Sequence, residues 1–262
     1  MMIPGKSIIQ IISARKSAGK TALGTKIVRE LKIRGFKVAV IKHVFHRIDV
    51  QGKDSDRYRR AGAENIVLIS KNELGFLSYG NWKQNLENII QKLPIRENIV
   101  LIEGFKELKN LPKIIVLKEP SELMELKEYI RNCLAIVCKD PLKLPSEVKC
   151  EKFSFNEVGK IVDIMLDHSI RKIISDLPGI DCGFCGYPTC RDFAYAVLKG
   201  IRNIEDCPIK LDVELKVNNK KVHLSPYPKQ VLVNILKGYL ESLKGVPEKI
   251  EEITVYIKLC KK

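Results

Sequence analysis

"SIIQIISARKSAGKTALGTKIVREL", residues 7–31, decides the fold. Residues 7–13 form a short isoleucine-rich run, the pattern of a strand buried on both faces of a parallel sheet. After Lys20 the period changes. Leu23, Ile27, Val28 and Leu31 recur at helical spacing, and Gly35 is placed to end that helix. Between strand and helix, residues 14–21 follow G-x-x-x-x-G-K-[ST], except that Ala14 replaces the first glycine. A loop in that place surrounds phosphate oxygens with backbone N–H groups. Arg15, Lys16, Ser17, Ala18, Gly19, Lys20 and Thr21 are therefore the expected nucleotide contacts, with Lys20 at the outer phosphates and the Thr21 hydroxyl on Mg²⁺. Alanine at 14 is compatible with this if its φ is negative.

Outward from this stretch, residues 37–42, 65–70, 98–103, 113–118 and 134–139 repeat the short apolar pattern. Helical stretches at 81–92, 121–131 and about 156–167 lie among them. Such alternation predicts an α/β fold with a mostly parallel sheet. The expected division is a P-loop nucleotide domain over 1–170, a small cysteine-bearing helical segment over 171–210 and a small α+β tail of ββαβ order over 211–262. In the tail, Val213, Leu215 and Val217 alternate, Asn218-Asn219 offers a turn with positive φ, and Val222 and Leu224 resume the alternation. Val231, Leu232, Ile235, Leu236 and Leu240 mark a helical face with Gly245 as its cap. Ile253, Val255, Ile257 and Leu259 mark a final strand.

The 262 residues carry 46 basic and 31 acidic side chains, a net charge of +15. That surplus suits an anionic partner, or is simply a solvated surface. No basic run is interleaved with aromatics as on a single-strand-binding face, so nucleic acid is not an expected partner. The first residues lack the apolar centre and small-residue cleavage site of a signal peptide. No apolar run approaches the roughly 18 residues of a spanning helix. The expected location is the cytoplasm, where thiols stay reduced and clustered cysteines bind metal.

Two further strings carry a resemblance: "VAVIKHVFHRIDVQGKDSDRYRRAGAENIVLIS" (38–70) and "IVLIEGFKELKNLPKIIVLK" (99–118). With the phosphate loop they resemble the molybdopterin-guanine dinucleotide biosynthesis protein B family across nearly all of residues 7–140. The G-K-D-S string and E-G-F-K after a strand are its specific parts. The resemblance implies a homodimeric P-loop protein that binds GTP. It would assist the guanylyltransferase that attaches GMP to molybdopterin, without being that transferase. Guanine preference rests on the resemblance. Asp140 in "CKDP" (138–141) is suited to accept hydrogen bonds from guanine, but this is not the N-K-x-D arrangement of GTPases.

Glu103 ends a buried strand at the edge where nucleotides bind, suited to hold Mg²⁺ directly or through water. Asp54 is either a further Mg²⁺ group or a helix cap. The family usually has an aspartate five residues before Glu103; here Asn98 stands there, without the charge, which implies weak metal binding or hydrolysis. Lys42, His43 and His46 are either contacts for an anionic pterin phosphate or a metal, or ordinary surface and packing residues.

"CGFCGYPTC" (182–190) raises a second chemistry. Cys182, Cys185, Cys190 and Cys207 are spaced C-x2-C-x4-C-x16-C. A [4Fe-4S] cubane needs four converging thiolates, and glycine turns let the backbone fold around it. Cys190 would open a helix through Phe193 and Val197 to about Gly200, turning its positive end toward the anionic cluster. The segment from Leu177 to the Cys207-Pro208 pair resembles a small [4Fe-4S] domain of redox and corrinoid-linked proteins. Structural zinc is the main rival, a disulfide the lesser one. Cys133, Cys138, Cys150 and Cys260 read as packing residues.

The expected function is a GTP-binding accessory protein of molybdenum or tungsten pterin dinucleotide cofactor assembly, at most a weak GTPase. Its cofactors would be GTP, Mg²⁺ and a [4Fe-4S] cluster of redox or regulatory role. A nucleotide-gated iron-sulfur electron-transfer protein stands as the alternative. A small-molecule phosphoryl transferase stands behind it, lacking an arginine-rich lid in this sequence.

Overall fold

The computed structural model describes residues 3–44, 46–79, 95–208, 213–222, 224, 226–247, 250 and 252–257. The chain divides into two compact units, residues 1–206 and 207–262.

The first unit is built on a six-stranded sheet. Its strands are β1 (Ser7–Ser13), β2 (Val38–Lys42), β5 (Ile99–Glu103), β6 (Lys113–Val116), β7 (Cys133–Val137) and β8 (Glu151–Phe153), in the order β2-β5-β1-β6-β7-β8. Every pairing is parallel. Central β1 is buried along its whole length, as its unbroken apolar run requires. The helix α1 (Lys20–Ile33) lays Leu23, Ile27 and Leu31 on the sheet. Gly24 is buried on the same face, where a Cβ would make only ordinary contact with Ile11 at 3.6 Å. Gly35, at φ 83, ends α1 with Phe36 N bonded to Leu31 O and Gly35 N to Lys32 O, the paired bonds of a Schellman cap.

The helix expected at about 156–167 runs farther, as α3 (Val158–Ser175), because its buried face continues through Ile170 and Ile173. It passes uninterrupted through 170/171, and the cysteine-bearing helix α4 (Cys190–Leu198) belongs to the same compact unit.

Two expectations for the sheet need correction. Residues 65–70 do not join it. As β3 (Asn65–Ile69) they pair antiparallel with β4 (Leu74–Ser78), a strand the sequence reading missed. This hairpin follows the short helix α2 (Asp54–Arg60). Residues 121–131 are 3₁₀ rather than α: the turns of Pro120–Asn132 break at Leu126, φ −117. The helix expected at 81–92 lies outside the described residues.

Two of the supposed packing cysteines are bonded. Cys133 and Cys150 form a disulfide across the β7–β8 edge, with Cα atoms 6.0 Å apart. Parallel pairing of β7 with β8 brings together residues that sequence spacing does not connect. Cys138 is a buried thiol in the same apolar cluster, and Cys260 lies outside the described residues.

The second unit contains the hairpin β9 (Leu215–Val217) and β10 (Lys220–Val222), turned by Asn218 and Asn219 at φ 50 and 62. Asparagine tolerates both left-handed positions, as a two-residue hairpin turn demands. Helix α5 (Pro226–Glu241) follows and ends before Gly245. Residues 252–257 form no strand, and Val255 and Ile257 are exposed; alternation alone supplied no partner.

Candidate functional site

The loop between β1 and α1 is closed on itself. Its left-handed positions are Ser17 (φ 58) and Gly19 (φ 94), while Ala14 is not among the positive-φ residues, so its Cβ costs nothing. Lys20 folds back, donating from Nζ to Ser13 Oγ at 2.5 Å and Arg15 O at 3.4 Å. Thr21 Oγ1 donates to Glu103 at 2.8 Å, and Lys42 Nζ reaches Thr21 Oγ1 at 3.1 Å and Glu103 at 3.3 Å. The start of α1 and the ends of β2 and β5 thus bring Thr21 and Lys42 together on the Glu103 carboxylate. Burial pushes the Lys20 ammonium below its ordinary pKa; Glu103 opposes that, and Lys106 and Lys42 add to it. A cleft of about 520 Å³ opens here, lined in part by Thr21, Val28, Val40, Lys42, Leu101 and Glu103.

Other expected residues stand apart. Arg15 reaches outward to Glu125 at 3.2 Å and Glu122 at 3.8 Å. Lys16 and Ser17 are exposed, and Ala18 is buried. Asp54 is exposed on the first turn of α2 and pairs with Arg57 at 3.4 Å. The buried carboxylate of that string is Asp56, missed by the sequence reading. It accepts from Gly52 N at 2.9 Å and takes ion pairs from Arg47, Arg59 and Arg60. The Gly52 N–H first, then the Arg47 guanidinium, hold it well below the usual carboxylate range. His43 stacks on Phe105 at 4.6 Å, and His46 Nδ1 lies 2.9 Å from the Arg47 carbonyl. Asp140 follows β7 on the phosphate-loop edge of the sheet, paired with Lys143 at 3.0 Å.

Asn98 needs correction as a metal-site position. It precedes β5, at the far edge of the sheet; five residues of strand separate it from Glu103, about 16 Å of rise. Its side chain holds something else: Nδ2 donates to Val197 O of α4 at 2.5 Å. The cysteine-bearing helix is therefore tied to the sheet edge opposite the phosphate loop. Phe36, just past α1, packs edge-on against Tyr195 of α4 at 5.3 Å.

α4 starts at Cys190, as its Thr189 cap accepts from Asp192 N at 3.1 Å. Gly183 and Gly186 take φ 74 and 84, and Gly186 N bonds Gly183 O at 2.9 Å. Cys190 N donates to Asp181 Oδ1 at 2.6 Å. Cys182, Cys185 and Cys190 are half-buried thiols outside any disulfide; Cys207 is buried, also outside any disulfide, and lies in the second unit. Four thiols fit a thiophilic metal group by donor type. Among the described residues, however, no three His, Cys, Asp or Glu side chains are already gathered to hold a metal.

With this geometry the chain matches the family model "Molybdopterin guanine dinucleotide synthesis protein B" over residues 8–139. The chain belongs to that family. A second model, "Putative Fe-S cluster", matches residues 177–209, which include all four spaced cysteines. This protein B family member is 32% identical over 237 residues to "Putative molybdopterin-guanine dinucleotide biosynthesis adapter protein" of Methanocaldococcus jannaschii, covering 88% of this chain and 89% of that one. It is 29% identical over 159 residues to "Molybdopterin-guanine dinucleotide biosynthesis adapter protein" of Haemophilus influenzae, covering 59% of this chain and 85% of the other. A solved structure of molybdopterin-guanine biosynthesis protein B superposes with a TM-score of 0.51 at 26% identity, covering 62% of this chain and 99% of that one.

Proposed function

We propose that this protein is a GTP-binding adapter of molybdopterin-guanine dinucleotide assembly, fused to a [4Fe-4S] segment. One observation carries the nucleotide half: Lys20 is nested in the phosphate loop while Thr21 and Lys42 meet on Glu103. Backbone N–H groups and Lys20 would take the phosphates, with Thr21 and Glu103 at Mg²⁺. Asp140, on the same sheet edge, is the candidate guanine acceptor. The cleft beside Glu103, with Lys42 on its wall, suits a planar ring bearing phosphate, the class to which the pterin belongs.

Cys182, Cys185, Cys190 and Cys207 would hold the cluster, which supplies one-electron redox chemistry. Asn98 ties α4 to the sheet edge away from the phosphate loop, which favours the adapter reading over a nucleotide-gated electron carrier. A homodimer is the assembly we favour. The β3–β4 hairpin exposes Val67, Leu68, Ile69, Leu74 and Phe76, an apolar surface for a second copy to cover. The cytoplasm is the proposed location, with the Cys133–Cys150 bridge as an exception to the rule that thiols there stay reduced.

An anaerobic pull-down from cells making pterin cofactor tests the adapter role. Recovery of the guanylyltransferase or a molybdenum-pterin protein is expected. Recovery of nucleic acid alone would reject it.

A further inference from the structure

We propose that Lys106 is a second phosphate-binding lysine of the nucleotide site, assigned to the outermost phosphate of a nucleoside triphosphate. This rests on the nucleotide reading above. Its Nζ donates to Ala14 O, at the first residue of the phosphate loop, at 2.7 Å. Ala14 opens the loop that Lys20 and Thr21 close, so Lys106 is tied to the loop at its first residue.

The turn that delivers Lys106 is built for the purpose. Gly104 and Phe105 are both left-handed, at φ 95 and 55, and a phenylalanine holds that conformation only at a cost. Fully buried Gln10 stabilises it: Nε2 donates to Gly104 O at 2.7 Å and to Phe105 O at 2.6 Å. Phe105 stacks on His43, and a Cβ on Gly104 would lie 2.9 Å from His43 Cβ, so only glycine passes there. Strain held in place by a buried amide and an aromatic stack marks a turn whose shape matters.

Charge says what it is for. Lys20 feels the charges of Lys42 and Lys106, which repel it, and of the Glu103 carboxylate, which attracts it: three cations to one anion, a surplus of two positive charges. Holding a single backbone carbonyl needs only a neutral donor. A cation placed beside two others is repelled, and an anion of several charges offsets that repulsion. Lys20 and Lys106 both donate to oxygens of the chain at the end of β1 and the start of the loop. A phosphate oxygen accepts from either ammonium more strongly than a neutral oxygen does. Lys106 therefore passes from Ala14 O to phosphate, adding to the Lys20 contact.

The test is calorimetric binding of Mg²⁺-GTP and Mg²⁺-GDP to the full chain, wild type, Lys106→Met and Lys106→Arg. Lys106→Met should weaken GTP by about 10-fold or more, the scale of one charge-assisted bond. GDP should change by less than about twofold, because it lacks the assigned phosphate, and Lys106→Arg should recover most GTP affinity by restoring the charge. Equal losses for GTP and GDP, with a lowered melting temperature of the nucleotide-free variant, would make Lys106 a loop tie and overturn the proposal. Unchanged GTP affinity in Lys106→Met overturns the Lys106 role alone. A wild-type chain that binds neither nucleotide overturns the nucleotide reading, and the Lys106 role with it.

Discussion

The phosphate loop and the cysteine turn are both glycine-punctuated stretches that open a helix, yet one is assembled and the other is not. In the loop, Lys20, Thr21 and Lys106 all have protein acceptors within 3.0 Å, so the site holds its shape before any ligand enters. In the turn, Gly183 and Gly186 supply the bends and Cys190 starts its helix, but among the described residues no three metal-ligating side chains are gathered. The difference lies in the donors. Ammonium and hydroxyl groups of an anion site can be satisfied by loop oxygens. Four thiolates repel one another unless a cation lies between them, so a metal group bound there would itself draw them together, and part of its binding energy would be folding energy.

The strongest way to break this contrast is to remove one cysteine. Alanine at Cys182, Cys185, Cys190 or Cys207 should abolish the iron and acid-labile sulfide of anaerobically purified protein, while GTP affinity stays unchanged. Loss of GTP binding would show that the two regions depend on each other. Stoichiometric zinc without sulfide in the wild type would reject the cluster and leave the phosphate loop untouched.

A smaller effect concerns how the two regions are joined. Asn98→Asp deletes the donor to Val197 O and sets a carboxylate against that carbonyl. The expected cost is about 1–3 kcal/mol, the scale of a mispaired buried polar group. Hydrogen exchange should localise the loosening to residues 190–198, with GTP affinity preserved. Uniform loss across β1 and α1 would contradict the picture of α4 as a separately tied helix.

The smallest effect concerns acid stability, at the turn between β8 and α3. Glu157 accepts from Ser154 N at 3.0 Å and from Lys160 at 2.9 Å. The Ser154 N–H first, then Lys160, lower its carboxyl from an ordinary 4.5 to about 2. A depressed folded pKa stabilises the fold above the unfolded value, and that contribution is lost as pH falls from about 4.5 toward about 2. Glu157→Gln should therefore flatten the acid side of the melting curve in that window and leave it parallel to wild type at higher pH. An unchanged acid limb would remove Glu157 from the account.

Local chemistry was legible in the sequence where one short stretch determines it. The strand, loop and helix of 7–31, the Asn218-Asn219 turn and the Cys190 helix start all follow from adjacent residues. Glu103 was legible because it ends a buried strand whose edge is known from the fold. What stayed hidden depends on partners distant in sequence. β3 carries the same apolar run as the sheet strands, but β4 claims it. Cys133 and Cys150 meet only through β7–β8 pairing. Asn98 reads as a weakened metal position until the sheet places it beside Val197 instead. Lys106 sits inside the E-G-F-K string, yet nothing local says that a left-handed turn aims it at Ala14.

The central claim is that a guanine nucleotide occupies the preformed loop. Titration calorimetry of Mg²⁺-GTP against Mg²⁺-ATP, on wild type and Lys20→Ala, tests it most directly. The account predicts tighter GTP than ATP, with GTP affinity falling by about 10- to 100-fold in Lys20→Ala, the scale of one charged hydrogen bond. ATP binding as tightly as GTP would contradict the guanine assignment, and a Lys20→Ala protein that binds normally would contradict the phosphate loop itself.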